Sequence, residues 1–300
     1  MKLLIGGSPC TKWSIAQTKN RETEPEGIGW ELFENYLIAL EKFKPDYFLY
    51  ENNKSMSAAI RSEITKRFGV EPICINSALV SAQNRKRLYW CGKRNPDGTY
   101  SRVEVEKPED RETLLRDILL PAEKVPDRYW YSCEWHYTGA KSGDIVHLDI
   151  KGNEQLKRVY STDYKSPTLT TCGGGNTEAK VFQNGIPRKL LVEEYKRLQT
   201  VPDSYIFPVS DTQAYKMLGN GWTVDVIAHI LSYCHGITTE PLDVLSMYDG
   251  MACGHIALDK LGAYIQRYRA TEIDKYAIKT ACHNFPDIEQ LGDAFQVRNW

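Results

Sequence analysis

The sequence has no long apolar run, no Cys-x-x-Cys pair, no repeat or low-complexity tract, and almost no net charge. Without an apolar stretch of about 20 residues there is no candidate membrane-spanning helix, and without a secretory leader a soluble, cytoplasmic chain is the expectation. Eight cysteines are present, at positions 10, 74, 91, 133, 172, 234, 253 and 282. Their scatter excludes a zinc-finger spacing and a disulfide framework, fits a reducing compartment, and gives no reason to expect a metal. Most read as small buried hydrophobes, with Cys10 set apart by its position. The formal net charge is −1, from 38 Lys and Arg against 39 Asp and Glu. A nucleic-acid partner would therefore have to be met by basic residues gathered on one face.

The chain does hold enough apolar material, 42% of 300 residues, to bury one large core and one small one. Residues 1–94 alternate short apolar strands (2–5, 47–50, 71–76, 87–92) with helices (29–43, 57–68). Trp30, Phe33, Leu37 and Leu40 fall on one helical face. The alternation predicts parallel strands in a doubly wound α/β sheet. Over 95–205 helical periodicity fades while prolines, glycines and aromatics increase, which predicts a smaller, irregular, β-rich domain. Regular structure returns over 206–300, with helices at 224–234, 254–261 and 275–283 and strands at 244–247 and 267–271.

Four stretches can carry chemistry. Gly6-Gly-Ser-Pro-Cys10 puts a cysteine in the turn beyond the first strand. A thiol there, near a helix N-terminus, becomes a nucleophile, although a lone cysteine after a strand is more often a packed core residue. The second strand ends Leu49-Tyr-Glu-Asn-Asn53, so Glu51 would face the same crevice at the carboxyl ends of the strands, as a general acid or as a plain surface carboxylate. In Gln83-Asn-Arg-Lys-Arg87, strand alternation puts Arg85 and Arg87 on one face, either a solvated edge or two guanidiniums beside a phosphate or base. Near the other end, a strand runs into Asp249-Gly250 and Gly254, short of a full Gly-x-Gly-x-x-Gly turn. Gly250 and Gly254 would admit a ligand close to the backbone, and Glu272, about twenty residues on, could accept ribose hydroxyls.

Together these stretches resemble the cytosine-C5 DNA methyltransferase family. The resemblance continues through Arg158-Val-Tyr-Ser-Thr162, Thr168-Leu-Thr-Thr171 and the three glycines that begin at Gly173, then through Arg188-Lys-Leu, Glu194-Tyr-Lys-Arg-Leu-Gln199 and Gln213-Ala-Tyr-Lys-Met-Leu-Gly-Asn220, and so covers nearly the whole chain. In that family the cofactor turn comes first. Here it comes last, and the chain is read as a circularly permuted member: a catalytic half at 1–94, a target-recognition domain at 95–205 and a cofactor half at 206–300. The implied fold is a Rossmann-like, doubly wound mixed sheet of the class I methyltransferase type.

The resemblance implies S-adenosylmethionine as cofactor and double-stranded DNA as partner, with a monomer, no membrane and no metal. It implies Cys10 as nucleophile on cytosine C6, Glu51 as proton donor toward N3, Arg87 on O2, and Arg85 orienting the site. On the cofactor it implies Glu272 at the ribose, Asp293 at the adenine amino group, Tyr248 near the adenine, and Ile273 as a further cofactor-binding residue. Pro9, Asp249, Gly250 and Gly254 would line the site, and Asn220 and Trp222 would close the methionine end. On DNA it implies Ser14, Gln17, Lys19 and Arg21 from a mobile loop over 11–29 whose glycines let it close, together with Thr170 and Gly174. Gln155 would fill the space left by a flipped base, with Ala16 or Gln17 as the alternative, and Arg158 would read guanine through O6 and N7. For Gln155 and Arg158 a plain solvent-facing loop residue is the competing reading. A short site with a GC or CG step is the expected target; the company of a restriction nuclease stays open.

Thr11, Asn53 and Gly221-Trp222 depart from the usual family pattern and leave the detailed substrate pose open. A tRNA-methylating member shares the chemistry and is the first rival; the recognition segment resembles the DNA enzymes. A catalytically silent DNA-binding partner would be expected to have lost the thiol or the carboxyl, and both are present. An amino-methyltransferase would need an Asp/Asn-Pro-Pro-aromatic motif, which is missing.

Overall fold

The computed structural model describes residues 1–15, 19–139, 143–172 and 176–300. It contains two compact units: Met1–Ile75 with Lys86–Lys107 and Val226–Trp300, and Asn76–Arg85 with Pro108–Asp225. In chain order the first unit begins with β1 (Lys2–Gly6), α1 (Gly27–Phe43), β2 (Tyr47–Asn53), α2 (Ala58–Phe68), β3 (Ile73–Asn76), β4 (Lys86–Arg94) and β5 (Tyr100–Arg102). The second unit then supplies α3 (Leu115–Ile118), β6 (Trp135–Tyr137), β7 (Asp144–Leu148), α4 (Glu154–Lys157), β8 (Arg158–Ser161), β9 (Lys180–Gln183), β10 (Ile186–Lys189), α5 (Val192–Leu198) and α6 (Asp211–Asn220). After α7 (Val224–Leu231) the chain returns to the first unit with β11 (Leu242–Met247), α8 (Cys253–Lys260), β12 (Ile265–Thr271), α9 (Lys275–Asn284), β13 (Glu289–Gly292) and a final 3-10 turn at Ala294–Asn299.

The sheet of the first unit runs β13-β12-β11-β1-β2-β4-β3, with β5 paired to β4. From β13 to β2 every pair is parallel. The parallel expectation fails on the other side, where β4 sits between β2 and β3 and runs antiparallel to β2. β13 had no counterpart among the expected strands; one exposed and three half-buried residues at a sheet edge leave little apolar pattern to read. Leu3, Leu4 and Ile5 of β1 are fully buried, as strands covered on both faces require. The α1 face carrying Trp30, Phe33 and Leu40 is buried, together with Tyr36, against Phe48, Tyr50 and Phe68. Ser57 caps α2 by accepting the Ile60 N–H, and Gly69, at φ 70°, ends it.

The second unit has a five-stranded sheet, β10-β9-β8-β7-β6, antiparallel except for the β8–β9 pair. Val146, Leu148 and Val159 form its small core. Segments 76–85 and 206–225, which the sequence places with the flanking halves, group with this unit. Buried polar side chains bind them there. Gln83 donates to the Leu198 carbonyl and to Gln199 Oε1, Gln199 donates to the Leu218 and Gly221 carbonyls, and Thr223 donates to Gln199 Oε1. Buried amides of this kind hold a segment because leaving any partner unmade costs about 1–3 kcal/mol. Among the described residues no helix is long and apolar enough to cross a membrane.

Candidate active site

In the first unit the parallel strands end in step. Gly6 pairs with Tyr50 on one side and Met247 on the other, Met247 with Thr271, and Thr271 with Gly292. The residues one to four positions later therefore emerge along one edge: Gly7 to Cys10, Glu51, Tyr248 to Gly250, Glu272 and Asp293. That is the edge where open α/β sheets bind ligands.

The turn carrying Cys10 is fixed to β2 by buried polar contacts. Ser8 Oγ meets the Tyr50 hydroxyl at 2.6 Å, and Asn52 donates to the Ser8 carbonyl at 3.2 Å and to the Tyr50 hydroxyl at 3.1 Å. The Cys10 carbonyl accepts the Trp13 and Ser14 N–H groups, each at 3.0 Å, which folds the chain back beyond the thiol. Gly7 lies so close to β2 that a Cβ would stand 2.7 Å from the Glu51 carbonyl oxygen and 3.2 Å from Glu51 Oε2. Arg87, opposite Asn53 on β4, holds Glu51 through Nε and Oε1 at 3.0 Å, with both side chains mostly buried. Cys10, Glu51 and Arg87 thus belong to adjacent strand ends.

The next turn alternates left-handed backbone at Tyr248, Gly250 and Ala252, with φ values of 61°, 60° and 61°. Non-glycine residues in that region cost of order 1–3 kcal/mol each and cluster where geometry is functional. The Tyr248 N–H donates to Thr271 Oγ1 and the Asp249 N–H to the Thr271 carbonyl. Glu272 accepts the Gly250 N–H on Oε2 and the Ile273 and Asp274 N–H groups on Oε1, all at 2.8 Å. Asp249 Oδ1 accepts from Ser246 and Tyr268, whereas buried Oδ2 has no hydrogen-bond partner. Burial pushes the Asp249 carboxyl up to about 6, against the pull of those two hydroxyls. Ile273 is 73% exposed, an apolar platform beside Glu272. Tyr248 packs inward and donates to the Leu32 carbonyl at 2.6 Å. Asp293 caps the last 3-10 turn through the Phe295 N–H, and Pro9 is exposed.

Two expectations need correction. A Cβ on Gly254 would meet Ile5 Cδ1 at 2.2 Å, so this glycine lets α8 pack on β1 and offers no ligand approach. Arg85 precedes β4 and does not share its face with Arg87. It is buried in the second unit, donating to the Gly219 and Gly221 carbonyls at 3.2 and 2.8 Å. Where it is described, the segment at 11–29 makes these contacts: Trp13 is fully buried, Glu22 Oε2 accepts from Trp13 Nε1 and the Gly29 N–H, and Arg21 donates to the Ser55 carbonyl at 2.6 Å. Gly29 is likewise a packing position, its Cβ place filled by Trp13 and Glu22.

Ser14 is half-buried and Lys19 exposed in that loop. In the second unit Gln155 is exposed on α4, Arg158 opens β8, and Thr170 is exposed with its hydroxyl on the Thr177 carbonyl. Asn220 ends α6 and Trp222 follows in the turn that Arg85 clamps. Ala16, Gln17 and Gly174 lie outside the described residues. Among the described residues no group of three or more His, Cys, Asp or Glu could hold a metal.

Residues missed from the sequence are the supports: Ser8, Tyr50 and Asn52 under the Cys10 turn, and Ser246, Tyr268 and Thr271 under Asp249. For those inside strands the signal was a polar group in an apolar run, as with Ser246 between Leu245 and Met247.

Residues 1–235 match the C-5 cytosine-specific DNA methylase family. The chain is 27% identical over 255 residues to the type II methyltransferase M.HpaII of Haemophilus parainfluenzae, covering 75% of this chain and 69% of that protein. It is 29% identical over 248 residues to the type II methyltransferase M.HhaI of Haemophilus parahaemolyticus, covering 76% and 74%. Against M1.ScrFI of Lactococcus lactis subsp. cremoris, 28% identical over 262 residues, it covers 81% of this chain but 62% of the relative. Two solved structures share the fold: the Entamoeba histolytica methyltransferase EhMeth (TM-score 0.52, 16% identity, 77% of this chain and 76% of that one) and S. pombe Dnmt2 (TM-score 0.51, 17% identity, 78% and 77%).

Proposed function

The chain belongs to the C-5 cytosine-specific DNA methylase family and is a DNA cytosine-5 methyltransferase, and from that premise we propose that it methylates a flipped-out cytosine in a short, GC-containing duplex site through a covalent Cys10 adduct. The observation that carries this reading is the in-step ending of β1 and β2, which brings the Cys10 turn beside Glu51 and its partner Arg87. Chemistry at C5 and C6 needs the ring face, so the target base must leave the stack.

The residues fit S-adenosylmethionine, which supplies the methyl group as an electrophile when bound. Gly250 leaves open space where a Cβ would stand, Glu272 is held rigid by three backbone N–H groups, and exposed Ile273 offers a face for a flat apolar ring. Asp249, Tyr248, Pro9 and Asp293 complete that edge, and Asn220 and Trp222 are assigned to the methionine end. The Cys10 thiolate forms a bond to C6 while Glu51 gives its proton to N3, which makes C5 nucleophilic. Once C5 carries the methyl group, its proton would pass to solvent water, the C5–H electrons would form the C5–C6 double bond as the C6–S bond breaks, the thiolate would leave, and the N3 proton would return to Glu51. Arg87 keeps the Glu51 carboxyl in place and lies where it can meet O2. Arg158 reads guanine, Gln155 fills the gap in the duplex, and Ser14, Lys19 and Thr170 meet the backbone.

The same reading includes the permutation, a catalytic half at 1–94, a recognition domain at 95–205 and a cofactor half at 206–300. Strand order supports it: β11, late in the chain, lies between β12 and β1, so the cofactor strand and the cysteine strand are neighbours with their chain order exchanged. A monomeric, cytoplasmic enzyme completes the proposal.

Labelled S-adenosylmethionine and unmethylated duplex DNA, followed by bisulfite sequencing, test it. Wild type is expected to protect cytosines in one repeated short context, and Cys10→Ser to lower the rate at least about a thousandfold. Cofactor binding by wild type without transfer to any DNA would overturn the reading.

A further inference from the structure

The recognition arginine is not an isolated side chain. Arg158 opens β8 directly opposite His147 of β7, and His147 in turn lies opposite His136 of β6. The other face of these strands is closed by Val146, Leu148 and Val159. Asp144, whose side chain is only 9% exposed, holds Oδ2 at 3.6 Å from Arg158 Nε and 3.5 Å from His147 Nε2. The second ring nitrogen, Nδ1, lies 2.7 Å from Oε1 of Glu154, the first residue of α4. Arg158 Nε is buried and makes no hydrogen bond, so its tie to Asp144 is an ion pair at 3.6 Å, while the side chain as a whole stays 39% exposed. A register shift between Asp144 and Val146 turns the Asp144 side chain toward this row.

We propose that Asp144 and His147 are positioning residues: Asp144 fixes the guanidinium of Arg158 by its inner edge so that its outer nitrogens meet guanine, and His147 ties α4, with Gln155, to the same carboxylate. This rests on the proposed readout of DNA by Arg158. A guanidinium paired with a carboxylate on its Nε side is restricted about its long stem but keeps a planar fork for O6 and N7, and such pre-organisation raises discrimination as well as affinity. The imidazole between Asp144 and Glu154 makes the arginine and the helix that bears Gln155 a single unit, so base readout and gap filling share one anchor. Four-residue helices have little stability of their own, and the Asn153 side chain caps α4 by accepting the Leu156 N–H.

The test is bisulfite profiling on DNA with randomised sequence around cytosine, for wild type, Asp144→Asn, His147→Gln and Glu154→Gln, with S-adenosylmethionine affinity and melting temperature measured alongside. Asp144→Asn is expected to lower kcat/KM on the best site about 10–100-fold and to relax the base requirement at one position, with cofactor affinity unchanged. His147→Gln and Glu154→Gln should relax the same position less. A purely structural role would lower melting temperature and all sites together, leaving base ratios as in wild type; that result overturns the proposal. Should Asp144→Asn fail to fold, the Glu154 variant asks the same question from a side chain that is 59% exposed, and an unaltered base profile there overturns it equally. Wild type that methylates no DNA overturns the functional reading and this inference with it, whereas methylation with unaltered base ratios in the variants overturns this inference alone.

Discussion

A carboxyl group with one oxygen in two hydrogen bonds and the other in none is an acid held against its own charge. Asp249 is in that position, and burial raises it to about 6, from an ordinary value near 4. The folded protein therefore binds this proton more tightly than the unfolded chain does. Its contribution to stability is fully present below about pH 4 and is lost as pH rises through about 6. A carboxyl raised that far is worth about 3 kcal/mol. Asp249→Asn keeps the shape and removes the charge, so its stability relative to wild type should grow by about that amount between pH 4 and pH 8. Urea unfolding of both proteins without cofactor measures this, and parallel pH curves would refute it. At this scale the sequence was legible in placement: Cys10, Asp249 and Glu272 follow strands and Glu51 lies near the end of β2, all along one edge of the sheet. It was not legible where a role depended on a neighbour in space. Arg85 looked like a site residue because alternation pairs it with Arg87, yet two carbonyls of a turn more than 130 residues later take its guanidinium.

At the scale of elements, packing explains glycines that motif reading assigns to ligands or hinges, and some that it passes over. Phe48 of β2 stands directly opposite Gly92 of β4, and a Cβ on Gly92 would meet the Phe48 ring at 2.2 Å. That ring is stacked on Phe68 and edge-on to Tyr100, so it has nowhere to retreat. Gly92→Ala should cost about 1–3 kcal/mol by overpacking, read as a lower denaturation midpoint in urea at unchanged slope. A variant as stable as wild type would show that the aromatic cluster yields. The helices and parallel strands were readable because apolar periodicity is local. The direction of β4 was not, because a strand's sense depends on the path that leads to it, and that path here runs through residues grouped with the second unit.

For the molecule as a whole, both chain ends lie by the last turn of α1. Lys42 Nζ donates to the Trp300 carbonyl at 2.8 Å, and Lys2 Nζ donates to the Phe43 carbonyl at 3.3 Å. A Gly/Ser linker of about eight residues, reaching up to about 25 Å, should therefore join Trp300 to Met1 while the chain is reopened between Thr238 and Thr239. The rejoined protein is expected to keep wild-type circular dichroism and methylation pattern and to melt within a few degrees of wild type. Loss of cooperative melting would show that the present order of segments is needed for the fold.

Strand order also governs how the protein comes into being on the ribosome. Lys2 pairs with Asp243, so one flank of β1 has no partner until β11 has been made. At about 5–20 residues per second, that delay is roughly 10–50 s. Throughout it the apolar row Leu3, Leu4 and Ile5 belongs to an unfinished edge, the kind of surface that templates aggregation. Contacts of such long sequence separation also slow the closing of the sheet. Yield in the cell will then depend less on the stability of the finished enzyme than on what shields the first strand until the late strand that completes it has emerged.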